Sequence, residues 1–465
     1  MVDFFRINDP FRLIVAFLIL IAIRLPFMIN GTTETLTEIS WFTIGEALAM
    51  GKNMYSEVWD NTGPLAAGIY WLVDLIFGKS QLTYQILAIL FVMHQAYIFN
   101  VNMLRNEVYN QKTYLPAMLY CVFMSLSFDF FTLSPPLIAL SFLLSALRIV
   151  IRLDNRSLDK EVFNIGFYSG IAALIYIPSI LFLGMFLFSL AVFRISSIRK
   201  LFISVYGFFF VIAIYLLYAF FNDSLQGFLE MYVYTYFTFP THEYFSYGDL
   251  LQIGIIPAVL LILTILRTLT DFRFVNFQVS CQQILIIWAI TATLNLFFTD
   301  QLTPYQLILF VPPLSFFVGH YLLLQKKKFF RELSFTIMLV ATIGGMYVHY
   351  YQFIPKLRKL DYSQYFSKGA SVQNKRILVL GEHMDDYQGN TLATRYFHWN
   401  ISEKHFNKLN NYAIISDIYE ELKAHEPEVI LDHKNMAPKL FKLIPELGNR
   451  YERDKTYPNQ YHLIK

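Results

Sequence analysis

Carboxylates are concentrated in one polar segment of a chain that is otherwise strongly apolar. This segment runs from Gly31 to Leu65 and holds five acidic side chains, namely Glu34, Glu38, Glu46, Glu57 and Asp60. A carboxylate can take up a proton from a reacting group. Acidic groups beside a bilayer are energetically costly, so carboxylates in such a place are candidates for a function by default. If these carboxylates do chemistry, the apolar segments on either side must hold them in position.

The composition indicates that the rest of the chain lies in a lipid bilayer. Of 465 residues, 56% are hydrophobic, 18% are aromatic and only 15% are charged, which is more apolar than a soluble protein. The formal net charge of +3 comes from dispersed cations, so no nucleic-acid partner is expected. The only two cysteines, Cys121 and Cys281, support neither a disulfide framework nor a thiolate metal site.

Hydrophobic runs long enough to cross a bilayer predict a multi-pass α-helical membrane protein. One run, at 162–193, is too long for a single span and is interrupted at 176–179 by Tyr-Ile-Pro-Ser. Cations flank this run on both sides, so we interpret it as a hairpin of two short helices. Together with it, nine further runs give eleven predicted spans, and these nine lie at 11–29, 80–104, 114–130, 136–151, 200–221, 250–267, 280–298, 304–324 and 332–353.

The distribution of cations in the loops predicts the orientation of the chain. Most cations fall in alternate loops, which the positive-inside rule assigns to the cytoplasm. We therefore expect an inner (cell) membrane protein with a cytoplasmic amino terminus and an uncleaved first span. One cluster argues the other way, because Lys356, Arg358 and Lys359 follow the last span on the outer side. We keep the odd number of spans because long soluble domains translocate largely regardless of charge.

Beyond the last span, the composition becomes that of a small soluble α/β domain. Residues 376–380 and 428–432 are typical of buried strands, and 416–425 has helical spacing. No G-x-G-x-x-G follows the first strand, so a nucleotide site is not indicated. The predicted domains are therefore a transmembrane domain at 1–354, with its extracytoplasmic first loop at 30–79, and an extracytoplasmic domain at 355–465.

The first loop itself is predicted to be structured. Residues 36–50 fit a helix that lies along the membrane surface, and Gly51 supplies its carboxyl-terminal stop. The apolar piece at 65–77 is too short to span and is closed by Gly78. A simple connector would not need two juxtamembrane helices.

Several motifs in this region resemble those of a known family. The first span ends in Arg24-Leu25, the run from Gly51 to Leu65 reads G-x-x-x-Y-x-x-x-x-D-x-x-x-P-L, and Phe-Gly-x-Ser closes the loop at 77–80. This pattern resembles the amino-terminal signature of GT-C glycosyltransferases, especially bacterial relatives of protein mannosyltransferases and lipid A aminoarabinose transferases. Weaker likenesses follow at Gly170–Pro178, Tyr305–Leu314 and Thr394-Arg395-Tyr396.

The resemblance implies a GT-C-like fold and a glycosyltransferase with a lipid-linked donor. The donor would be a sugar on a polyprenyl phosphate, and the acceptor an extracytoplasmic protein or glycolipid. Such chemistry needs a carboxylate to deprotonate the acceptor, and a cation or metal to stabilise the leaving phosphate. No cofactor is certain from the sequence, and a divalent metal stays an open alternative.

The resemblance also selects candidate site residues. The family's Asp-Glu pair falls on Thr37-Glu38, so the Asp is missing and Glu38 would have to replace it. Asp60 matches the acidic position before the family's Lys-Pro-Pro element, whose lysine is also missing, and Asp129 could approach as another carboxylate. For the donor phosphate the sequence offers Arg24 and Lys52, although Arg24 could instead extend to the outer lipid headgroups.

Two other classes of function remain open at this point. A catalytically silent scaffold that keeps the GT-C fold would explain the missing Asp and the missing lysine. A transporter would show two related halves with broken spans and charges at the membrane midplane, and no such repeat is evident. The sequence names neither the sugar nor the acceptor.

Overall fold

The architecture is that of a computed structural model, which describes residues 1–153, 158–193, 197–237, 244–270, 274–299, 301–351, 360, 362 and 364–464. The predicted domain boundary at 354/355 and the cations Lys356, Arg358 and Lys359 lie outside the described residues. The chain forms two compact units, each assembled from separate segments. The first comprises Met1–Thr32, Leu82–Ile214 and His242–Asp361, and the second comprises Thr33–Gln81, Tyr215–Thr241 and Tyr362–Lys465.

Long apolar helices dominate the chain. Among the described residues, eight helices are long and apolar enough to cross a membrane, namely Phe11–Asn30, Gln81–Arg105, Pro135–Arg152, Ile198–Phe221, Tyr247–Leu269, Asn276–Asn295, Pro304–Leu324 and Lys328–Tyr351. The prediction of a multi-pass α-helical membrane protein is therefore confirmed. The predicted total of eleven spans stays a prediction.

Shorter helices account for the difference in number. The run predicted at 114–130 forms only the nine-residue helix Leu115–Phe123, followed by the 3₁₀ turn Phe128–Phe131. At 1.5 Å per residue this helix extends about 13 Å, less than half of a bilayer core. The run at 162–193 forms helices Asp159–Ile175 and Ile180–Phe193, separated by the 3₁₀ turn Ile177–Ser179.

Glycines allow two helices of the first unit to pack closely. A Cβ atom at Gly166 would lie 1.7 Å from the Ser204 carbonyl oxygen, and one at Gly207 would lie 2.3 Å from the Phe163 carbonyl oxygen. These glycines belong to helices Asp159–Ile175 and Ile198–Phe221. Small residues at such crossings are typical of membrane helices, because they let the two backbones approach.

The first loop forms the two helices that its sequence predicts, Leu36–Ala49 and Pro64–Phe77. Gly51 and Gly78 follow them with φ angles of 90° and 66°, the left-handed region that glycine adopts without strain. Within the second unit the two helices pack together through stacked Trp41 and Tyr70 rings, whose centroids are 5.7 Å apart.

The carboxyl-terminal tail forms a five-stranded mixed sheet in the order β2-β1-β3-β5-β4. Its strands are Arg376–Leu380 (β1), Thr391–Leu392 (β2), Val429–Asp432 (β3), Tyr451–Arg453 (β4) and Gln460–Leu463 (β5). Strands β2 and β3 run parallel to β1, and β5 runs antiparallel to β3 and β4. The helices of this region are Trp399–Phe406, Tyr412–Ala424, Ala437–Leu443 and Pro445–Gly448.

The remaining described elements are short. The amino-terminal helix Val2–Phe5 precedes the first span. The segment after Phe221 contains helix Leu225–Gly227, the π-helical turn Phe228–Val233 and the 3₁₀ turn Tyr234–Phe237. Further 3₁₀ turns occupy Pro304–Phe310 and Met384–Tyr387.

Candidate functional site

Arg24 is a buried cation near the carboxyl end of helix Phe11–Asn30. Arg24 is only 1% exposed, so its side chain does not extend out of the protein toward the lipid headgroups. Nη2 donates to the carbonyl oxygens of Met124 at 2.6 Å and Phe130 at 3.2 Å, and the guanidinium carbon lies 4.7 Å from the centre of the Phe131 ring. Nε and Nη1 have no hydrogen-bond partner among the described residues.

Unsatisfied buried donors on a charged group are unfavourable unless an anion completes the site. Arg24 is therefore the candidate residue whose surroundings fit a ligand best. No sequence feature other than its position at the end of the first span indicated this.

Asp129 lies in the same short loop that Arg24 contacts. It is 2% exposed, and its Oδ2 accepts a hydrogen bond of 2.9 Å from the backbone N–H of Tyr305. Tyr305 is the second residue of the 3₁₀ turn Pro304–Phe310, so this bond joins the Asp129 loop to the start of that turn. The structure therefore brings Arg24 and the Asp129 loop together, with Arg24 bonded to backbone carbonyls of the loop.

An apolar cavity of about 440 Å³ adjoins this loop within the first unit. Its walls come from the helices Tyr247–Leu269, Asn276–Asn295 and Pro304–Leu324, and almost all of its lining side chains are hydrocarbon. Phe130, whose carbonyl binds Arg24, also lines it. Phe130 therefore contacts both the buried cation and the cavity, although Arg24 itself is not among the residues that line the cavity.

Glu38 stabilises the start of helix Leu36–Ala49. Its Oε2 accepts hydrogen bonds from the Thr35 backbone N–H at 3.0 Å, the Thr35 hydroxyl at 3.3 Å and the Gln81 amide at 3.2 Å. The Thr35 hydroxyl in turn accepts from the Glu38 backbone N–H, which completes a capping box. Such caps contribute about 0.5–2 kcal/mol, so Glu38 has a structural role in addition to any chemical one.

Glu34 is a carboxylate that the sequence-based selection missed. Its Oε2 accepts a hydrogen bond of 2.9 Å from the Gln388 amide. Burial raises the pKa of the Glu34 carboxyl group, and the nearby charge of Glu38 raises it further, while Lys79 acts against this. The spacing of four residues between Glu34 and Glu38 across a helix start was the signal that could have identified the pair.

Lys79 is a second residue that the sequence-based selection missed. Its Nζ lies 2.7 Å from Glu46 Oε2 and donates to the Asn390 carbonyl oxygen at 3.0 Å. Burial raises the pKa of the Glu46 carboxyl group even though Lys79 lowers it. Lys79 therefore holds a half-buried carboxylate of the first loop in place.

Lys52 and Asp60 make local structural contacts in the second unit. Lys52 Nζ donates to the carbonyl oxygens of Leu392 at 3.0 Å and Ala393 at 2.8 Å, and burial lowers the pKa of its ammonium group. Asp60 is 1% exposed, and its Oδ1 accepts from the Thr62 backbone N–H at 2.7 Å. The first anchors the loop to the sheet region, and the second closes an Asx turn.

The residues that the structure describes do not form a metal site of the usual kind. Within the described ranges, no group of three or more His, Cys, Asp or Glu side chains is arranged to hold a metal ion. The candidate acids instead accept hydrogen bonds from backbone N–H groups. No step of the chemistry below is therefore assigned to a metal.

Comparison with known proteins supports the fold. No protein-family model matches the chain, and no curated protein matches it significantly. The crystal structure of ArnT from Cupriavidus metallidurans bound to undecaprenyl phosphate is similar, with a TM-score of 0.51 and 12% identity over 74% of this chain and 65% of that one. The chain thus spans slightly less than two thirds of that structure.

Two further solved structures are similar to a lesser degree. Apo ArnT from the same organism has a TM-score of 0.49 and 12% identity, over 70% of this chain and 63% of that one. The apo oligosaccharyltransferase of Archaeoglobus fulgidus has a TM-score of 0.48 and 12% identity, over 97% of this chain and 74% of that one. The likeness to undecaprenyl-phosphate-bound ArnT confirms what the first-loop motifs predict: the chain has the fold of the GT-C glycosyltransferases.

Proposed function

We propose that this protein is an integral membrane glycosyltransferase that moves a sugar from a polyprenyl-phosphate donor to an extracytoplasmic protein or glycolipid. The observation that carries the proposal is the unsatisfied hydrogen-bonding capacity of the buried Arg24 side chain. Two of its guanidinium nitrogens, Nε and Nη1, are buried without a partner among the described residues. An arginine with donors available in this way is suited to a phosphate oxygen.

The apolar cavity supports a lipid donor rather than a soluble one. Phe130 links the two features, because its carbonyl accepts a hydrogen bond from Arg24 and the same residue lines the cavity. A polyprenyl phosphate has the matching chemistry, an anionic head joined to a hydrocarbon chain. ArnT, which has the same fold, crystallised with undecaprenyl phosphate bound.

The transfer step would use a carboxylate as the proton acceptor. The acceptor hydroxyl or amide loses its proton to the carboxylate as its oxygen or nitrogen bonds to the anomeric carbon. The bond from that carbon to the phosphate oxygen breaks at the same time, and polyprenyl phosphate leaves with the electron pair. Arg24 would stabilise the negative charge on the leaving phosphate.

We assign the proton-accepting role to the pair formed by Glu34 and Glu38. The raised pKa of Glu34 brings this carboxyl closer to neutral pH, where a general base is most effective. Asp60 and Asp129 remain candidate catalytic carboxylates, and Lys52 a candidate donor-binding cation. The predicted orientation, with a cytoplasmic amino terminus and an extracytoplasmic tail, is part of the proposal.

A catalytically silent scaffold is a second candidate, and a specific observation favours it. Glu38, Asp60 and Asp129 each accept a hydrogen bond from a backbone N–H, and Lys52 donates to two backbone carbonyls. Such contacts would preserve these residues in a protein that has lost its activity.

Transfer of a labelled sugar separates the two candidates. Membranes containing the wild type or Glu38→Gln are incubated with a labelled polyprenyl-phosphate sugar, and label in protein and glycolipid is measured. A wild type that transfers label, with a variant that does not, supports the transferase. Unchanged transfer by Glu38→Gln removes Glu38 from the mechanism, and no transfer by either protein favours the scaffold.

A further inference from the structure

A second cavity, of about 370 Å³, lies in the first unit among the ends of its helices. Three cations line it, Arg6, Lys326 and Arg331, together with the amides of Asn110, Gln111 and Gln325. None of its described lining residues is acidic. Its loops are those that the positive-inside rule assigns to the cytoplasm, so this cavity is distinct from the site around Arg24.

His320 is one of the residues that line this cavity, and its ring is packed among aromatic side chains. It is 2% exposed, and its ring is stacked between Phe316 and Phe274, with centroids 4.7 Å and 5.1 Å away. The Val108 carbonyl faces the ring. Even so, neither Nδ1 nor Nε2 makes a hydrogen bond of acceptable geometry within the described part of the chain.

The cations are held in place but retain donor capacity. Arg331 is 5% exposed, its Nη2 is bonded to Asp3 and its Nη1 donates to the Gln325 carbonyl at 3.0 Å, yet its Nε has no partner among the described residues. Asp3 is also 3.5 Å from Lys328, so its charge is shared. Arg6 is fixed by two bonds to Gln111 Oε1, at 3.1 Å and 2.6 Å.

We propose that this cavity binds a phosphate group, supplied either by the headgroup of an anionic phospholipid or by a phosphate solute. The positive charges of Arg6 and Lys326, with no acidic residue in the described lining, and the buried Nε of Arg331 are the features that such a group would satisfy. Basic cavities between membrane helices on the cytoplasmic side recognise anionic lipid headgroups by the same chemistry. The proposal does not depend on glycosyl transfer.

The test measures binding to the full-length protein purified in a neutral detergent. Thermal unfolding is followed with added short-chain phosphatidylglycerol, short-chain phosphatidylcholine or inorganic phosphate, at constant ionic strength. The test variant is R6Q/K326Q, and the matched control is Arg105→Gln, an exposed cation that does not line the cavity. Each removed cation is expected to weaken binding about fivefold, the ratio that corresponds to ~1 kcal/mol per charge at an anionic surface.

The outcomes distinguish the two sources of phosphate. Stabilisation by phosphatidylglycerol alone identifies a lipid site, and stabilisation by inorganic phosphate as well identifies a site for the phosphate group itself. In both cases the effect must weaken in R6Q/K326Q and persist in Arg105→Gln. The proposal is overturned if neither compound stabilises the wild type more than phosphatidylcholine does, or if both variants lose the effect equally.

Discussion

Replacing Arg24 by methionine should weaken the binding of a polyprenyl phosphate without lowering the stability of the ligand-free protein. Methionine has a similar length but no charge, and it removes the two guanidinium nitrogens that have no described partner. Hydrogen bonds from a charged group contribute about 1.5–3 kcal/mol each, so the loss of two amounts to about 3–6 kcal/mol. This corresponds to a loss of roughly 10²–10⁴-fold in affinity for a polyprenyl phosphate.

The ligand-free protein should respond differently to the same change. A buried charge without a counter-ion destabilises a fold, and its replacement by a well-packed apolar side chain is often neutral or stabilising. The loss of the bonds from Nη2 to the Met124 and Phe130 carbonyls acts against this gain. We therefore expect Arg24→Met to unfold at the temperature of the wild type or above it.

The assay is thermal unfolding of both proteins in detergent, with and without undecaprenyl phosphate. At a hundredfold excess over its Kd, the lipid should stabilise the wild type by about 2.7 kcal/mol, and it should have little effect on the variant. Arg24→Lys is the matched control for charge, because it keeps the cation but loses the guanidinium fork. A variant that unfolds at a much lower temperature, and yet keeps the full lipid effect, would refute the reasoning and make Arg24 a structural residue.

Four further predictions follow from the described contacts. Glu38→Gln keeps an oxygen for the capping box, so its unfolding temperature should stay near that of the wild type while sugar transfer falls at least about 100-fold; equal transfer would contradict its role. Folding raises the pKa of Glu34 above its ordinary 4.5, so the ionised carboxylate destabilises the folded protein at pH 7 and Glu34→Gln should be more stable there than the wild type. This difference in stability should disappear as the pH falls toward 4.5, and a difference that is constant with pH would contradict the prediction. Gly166→Ala should strongly reduce the yield of folded protein and Gly184→Ala, which has open space, should not; equal yields would contradict the close packing. Tyr412→Cys, at a position that is 88% exposed, should react with a membrane-impermeant maleimide on intact cells or spheroplasts. Background labelling should be low because Cys121 and Cys281 are buried, and labelling only after lysis would reverse the predicted orientation.

Much of the helical architecture could be predicted because the signals were local. Gly51 and Gly78 end the two first-loop helices where the sequence indicates, since only glycine adopts their positive φ angles readily. The break at 176–179 follows from Pro178, which cannot donate a backbone hydrogen bond. Strands β1 and β3 are evident because each contains an uninterrupted apolar run, at 377–380 and 429–431.

Other elements could not be predicted from local patterns. Hydropathy does not distinguish a lipid-facing helix from one buried in protein, so Leu115–Phe123, in which every residue is buried, was included in a predicted span at 114–130. Strands β2, β4 and β5 have two to four residues and partly exposed faces, and they depend on neighbours distant in sequence.

The site was predictable in type more than in detail. The Thr35–Glu38 spacing is a capping-box signature that can be read from sequence, yet the carboxylate was selected for chemistry alone. The burial of Arg24 depends on the Met124 and Phe130 carbonyls, about a hundred residues away in sequence, and no local pattern could reveal it. The raised pKa of Glu34 arises from folding, so only its spacing of four residues from Glu38 could have indicated it in the sequence.

The most direct test of the proposed function is the release of polyprenyl phosphate by the purified protein. The full chain is reconstituted in nanodiscs with a labelled polyprenyl-phosphate sugar and an extract of envelope glycolipids and proteins, and free polyprenyl phosphate and labelled acceptor are both quantified. The account predicts that the wild type produces the two in equal amounts and that Arg24→Met produces neither. Binding of the lipid-linked sugar by the wild type with no release of polyprenyl phosphate would contradict the account and favour a scaffold.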